Sequence, residues 1–63
     1  MAGEGREVYF EFTVVGTSVK VTAIDSATGT EVSTLGPTSA SEADLRRLAL
    51  AKLKARLTRE QGQ

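Results

Sequence analysis

The chain has 63 residues with eight basic and eight acidic side chains, no cysteine and no histidine. That composition excludes disulfides, thiolate metal sites and thiol nucleophiles, and it removes the commonest general base. A single core of this size rarely supplies more than about 3–5 kcal/mol, and with disulfide and zinc staples excluded, association with another chain is the remaining one.

The opening segment MAGEGREV has no apolar signal-peptide core, and no apolar run approaches the roughly 18–20 residues of a membrane span. A cytoplasmic protein with no membrane partner is expected. Residues 1–5 read as a disordered N-terminal tail and 6–61 as one domain. From Glu7 to Val15 the chain alternates, with Val8, Phe10, Phe12 and Val14 on one face of a strand. Gly16 then stands first of two central turn residues, as a type II′ hairpin requires. That loop pairs Val15 with Ser18, Phe12 with Val21 and Phe10 with Ala23, so every pair on the inner face is apolar or small. A one-residue slip would scatter these residues over both faces.

The stretch DSATGTE is a second turn. A three-residue loop with Gly29 left-handed pairs Ser26 with Thr30, which puts Leu35 beside Val21 on the buried face. Val32 then joins Tyr9 and Ile24 in an apolar stripe on the other face. A four-residue loop would reverse these placements. After Gly36 and Pro37, both Ser39–Glu42 and Ser41–Asp44 fit a capping box, and the run to about Arg59 favours helix throughout. The fold class is therefore α+β, a three-stranded antiparallel meander followed by one C-terminal helix (β-β-β-α).

Five leucines spread too widely round that helix for one stripe of roughly 100°. Leu50, Leu53 and Leu57 form one compact set. Leu45 and Leu48 form a second, extended by Ala49 and Ala55, which either wraps a curved sheet or meets another copy of the chain. A homodimer through Leu45, Leu48, Tyr9, Ile24 and Val32 is expected on the second view. Gly36 and Pro37 are either a tight strand-to-helix turn or a strained hinge, and the hinge would send the helix onto a neighbour's sheet in a domain swap.

Catalytic chemistry is hard to build from these residues. Glu7 and Glu11 share a strand face with nothing to bury them, neither glycine turn is a phosphate loop, and Asp25 with Ser26 and Thr28 reads as turn chemistry. No catalytic, cofactor or metal site is expected. Charge is uneven: residues 1–36 hold two basic against five acidic side chains (−3), and residues 37–63 hold six against three (+3). The helix cations Arg46, Arg47, Lys52, Lys54 and Arg56 give an alternative function, a nucleic-acid contact by the basic helix. Against that stand the acidic sheet and the scarcity of aromatic residues.

The segments REVYFEF, AIDSATGTEVSTLGP and SASEADLRRLALAKL together resemble a family of very short uncharacterised alphaproteobacterial proteins. The resemblance spans roughly residues 6–57 and implies a bacterial, cytoplasmic, single-domain protein. It carries over no activity and no functional residues. Taken together, the sequence points to a small homodimeric protein-interaction module whose further protein partner is not identified.

Overall fold

The computed structural model describes residues 7–61. The segment expected as a disordered tail lies outside them. Strands β1 (Val8–Val15), β2 (Ser18–Asp25) and β3 (Glu31–Pro37) are followed by a 20-residue helix, α1 (Glu42–Gln61). The strands form one antiparallel sheet in the order β1-β2-β3, and α1 packs on one face of it against β2 and β3.

The first hairpin has the expected register, with Val15 opposite Ser18, Phe12 opposite Val21 and Phe10 opposite Ala23. Gly16 has φ 61° while Thr17 does not have positive φ. One positive φ at the first central position is the signature of a type II′ turn, whose twist matches that of the flanking strands.

The second hairpin corrects the sequence-based register by one residue. Asp25, not Ser26, stands opposite Thr30: the Asp25 N–H donates to Thr30 O (2.9 Å) and the Gly29 N–H donates to Asp25 O (2.8 Å). The loop therefore holds four residues, 26–29, with Gly29 left-handed at φ 77° as expected. Asp25 decides its length. Its Oδ2 accepts from the Thr28 N–H (3.0 Å) and from Thr28 Oγ1 (2.8 Å), so one buried carboxylate closes the turn from inside.

Because side chains alternate, the slip exchanges the two faces of β3. Val32 faces inward opposite Ala23 and is 5% exposed, whereas Leu35 faces outward opposite Lys20 and is 66% exposed. The expected Tyr9–Ile24–Val32 stripe is thus interrupted, since Glu31 stands opposite Ile24. Beside it Thr22 and Ser33 pair across the strands with their hydroxyls 3.0 Å apart.

The core is Val21, Ala23 and Val32 from the sheet with Leu45, Ala49 and Leu53 from the helix. Burying a side chain such as Val21 or Leu53 contributes about 1.5–3 kcal/mol. Successive members 45, 49 and 53 lie four residues apart and advance by only about 40°, so they form one nearly axial ridge. Leu57 continues it, packed against the core and half-buried. The ridge takes Leu45 and Ala49 from the set expected to lie outside and leaves Leu48 exposed (58%). Gly36 makes room for it: a Cβ there would overlap Leu45 Cδ2. The helix is seated on its own chain's sheet, through the turn in which the Ala40 N–H donates to Pro37 O (3.1 Å).

Candidate interaction surface

The sheet has two edges, and they differ. On β3 the backbone groups of Thr30, Val32, Thr34 and Gly36 point toward β2, as the Asp25–Thr30 pair fixes by alternation. Those of Glu31, Ser33, Leu35 and Pro37 therefore point outward. Pro37 stands where an N–H would have had no ladder partner, so it costs no sheet bond and offers none to a neighbour. The Lys52 ammonium donates to Ser33 O, reaching over from the helix to cap the edge. An open groove of about 490 Å³ beside it is lined by Lys20, Ser33, Thr34, Leu35 and Lys52. Proline and lysine are two of the common means by which sheet edges are closed to other strands.

β1 has neither. Its outward backbone groups belong to Val8, Phe10, Phe12 and Val14, the residues whose side chains lie on the helix-bearing face. Phe10 and Phe12 touch the core yet are only half-buried, because α1 crosses β2 and β3 and stops short of covering β1. Val14, further from the helix, is 69% exposed. Of the five large hydrophobic residues most exposed among the described residues, Tyr9, Val14 and Val15 lie on this strand.

The two flanks of the helix match this asymmetry. Lys52 marks the β3 side. Leu50 and Leu57, about 140–160° round the helix from Lys52, therefore mark the β1 side, and both are half-buried.

The residues singled out from the sequence for self-association do not form one surface. Leu45 and Val32 are core, because the register shift and the room at Gly36 draw both inward. Leu48 and Tyr9 are exposed, and Ile24 is half-buried. Tyr9 Oη donates to Glu7 Oε1 at 2.5 Å, and this bond holds the phenol pKa above its ordinary value. Val14, Val15 and Leu35 were not anticipated. The hairpin pattern shows that Val14 belongs to the apolar face, but only the landing site of the helix decides that nothing covers it.

The basic helix face is largely engaged. Arg46 lies 3.7 Å from Glu42, Arg47 2.8 Å from Asp44 and Arg56 3.9 Å from Glu60. With Lys52 bonded to Ser33 O, only Lys54 of the five candidate nucleic-acid contacts has no polar partner of its own within the described chain. At the helix start Ser41 is the cap, its Oγ accepting from the Asp44 N–H at 3.1 Å. Hydrogen bonds from Arg47 and with Ser41 hold the Asp44 carboxyl below the ordinary carboxylate range. Among the described residues no three His, Cys, Asp or Glu side chains are placed to hold a metal ion, and no helix is long and apolar enough to cross a membrane.

Residues 5–60 match the model of a family described as a domain of unknown function (DUF6898), and the chain belongs to that family. No curated protein and no solved structure matches it.

Proposed function

We propose that the protein is a small homodimeric interaction module without catalytic activity. The observation that carries this is the incomplete second layer: one helix covers two of three strands, and Phe10, Phe12 and Val14 are left half-buried or exposed on the third. A chain this short has little stability to spare, so apolar surface of that kind is better covered by a partner than left to water. The nucleic-acid alternative gains no such support, since most of the cations it would use are already engaged along the helix and at the β3 edge.

Light scattering over a hundredfold range of concentration tests the proposal, combined with an unfolding curve at each end. A dimer mass is expected, with a midpoint that rises as concentration rises, because association then adds to folding stability. A monomer mass with a constant midpoint overturns it.

A further inference from the structure

We infer that the dimer forms by antiparallel pairing of β1 with β1 of a second copy, centred on Phe12, which joins the two sheets into one of six strands. This rests on the self-association proposed above and specifies its surface and register. Both edges of the sheet offer outward backbone groups, but only β3 carries a proline and a lysine cap. β1 runs eight residues with no proline, lysine or bulge and pairs regularly with β2 along its whole length. An uninterrupted edge of this kind is a template for another strand.

Alternation limits the register. Since Phe10, Phe12 and Val14 direct their N–H and C=O outward, they must form the hydrogen-bonded pairs of the new ladder. Centring on Glu11 would set Glu11 directly opposite the partner's Glu11, a like-charge pair that is destabilising. Centring on Phe10 leaves Val15 beyond the new ladder. Centring on Phe12 sets Phe10 opposite the partner's Val14 on the helix-bearing face, Tyr9 opposite the partner's Val15 on the other, and Glu11 opposite the partner's Thr13. The three exposed hydrophobic residues of β1 all gain partners in that register. Charge agrees as well. Lys20 stands opposite Thr13 within the chain and has no ion-pair partner among the described residues, so the partner's Glu11 and Lys20 flank one small threonine on the same face. The two-fold axis is perpendicular to the sheet, so both helices lie on one side with the Leu50 and Leu57 flanks toward each other.

The chain has no cysteine, so introduced thiols report cleanly. In a non-hydrogen-bonded antiparallel pair the Cα atoms are about 4.5 Å apart, within disulfide range. Chains carrying Glu11→Cys and Thr13→Cys, both at exposed positions, are mixed and oxidised, and the mixed disulfide is expected to dominate over either self-linked product. Self-linked Glu11→Cys as the main product overturns the register in favour of one centred on Glu11. In parallel, Val14→Lys, which touches no core position, is expected to convert the dimer to a folded monomer by circular dichroism and light scattering. A Val14→Lys protein that stays dimeric, with no disulfide formed in the mixture of Glu11→Cys and Thr13→Cys chains, overturns pairing through β1 while the homodimer itself stands. A monomeric wild-type chain removes both.

Discussion

Two residues carry structural constraints out of proportion to their size. Gly36 is not left-handed, so its constraint is steric: the helix ridge begins against it, and an added methyl group would overlap the tip of Leu45, which is 2% exposed and would have to turn within a packed core. Gly36→Ala is therefore expected to cost about 1–3 kcal/mol in urea unfolding, the usual penalty for overpacking. Asp25 is the other. It is fully buried, and its Oδ2 satisfies both the N–H and the hydroxyl of Thr28. Asp25→Ala is expected to lose about 1–3 kcal/mol, because the turn amide is left without its acceptor. The conservative Asp25→Asn keeps an acceptor of the same shape and should recover part of that loss. Equal losses for both substitutions would show that charge, not the turn bond, is what matters there.

At the scale of elements, the first hairpin was legible because two signals agree: a glycine at the position the tight turn needs, and an all-apolar inner face in one register only. The helix was legible from its cap residues and the absence of breakers. The register of β3 was not, because its turn is closed by a side chain. DSATGTE marks Asp25, Ser26 and Thr28 as turn chemistry but does not say that the Asp25 carboxylate binds Thr28 and so sets the loop length, and without that bond a three-residue loop is as good as a four-residue one. The consequence is sharp, since every β3 side chain changes face. Val32→Lys should therefore prevent folding, while Leu35→Lys should leave the circular dichroism spectrum and unfolding midpoint nearly unchanged. The opposite pattern would restore the three-residue loop. The candidate interaction surface was legible in part. Phe10, Phe12 and Val14 are plainly one face, but whether a 20-residue helix covers all three strands or only two depends on where Leu45 finds space, and that is set by Gly36.

The helix start gives a test on the same scale. Of the two candidate caps, Ser41 makes the bond and Ser39 makes none of the cap bonds. Ser41→Ala is expected to cost about 1 kcal/mol and Ser39→Ala close to nothing. Asp44 adds a pH dependence whose sign follows from its lowered pKa. The carboxylate contributes fully above its ordinary value of 3.8, and the contribution is lost as pH falls through the lower folded value. Thermal midpoints measured across that range should fall with acid in the wild type, and the fall should be shallower in Asp44→Asn.

For the whole molecule, the opposed charges of the two halves suggest that the sheet and helix are held together electrostatically, and the contacts argue otherwise. Arg46, Arg47 and Arg56 each pair with a carboxylate three or four residues away on the same helix, with both partners well exposed. Exposed pairs of this kind contribute roughly 0.3–0.5 kcal/mol each and are weakened by salt. Apart from Lys52 on Ser33 O and Glu60 beside Thr30 at its margin, the helix meets the sheet through the apolar contacts of Val21, Ala23, Val32, Leu45, Ala49 and Leu53, which salt does not screen. Urea unfolding of Val14→Lys, the variant designed to remain monomeric, is therefore expected to shift by about 1 kcal/mol at most between low and high sodium chloride. Urea is the denaturant of choice because it adds no ionic strength of its own. The wild-type chain adds a comparison: in the dimer proposed above, Lys20 beside the partner's Glu11 is a rim contact, so salt should change how fast that dimer forms more than how stable it is. A large loss of stability with salt in the monomeric variant would mean that the −3 and +3 halves do attract across the layer interface, and that the apolar core alone does not hold the helix in place.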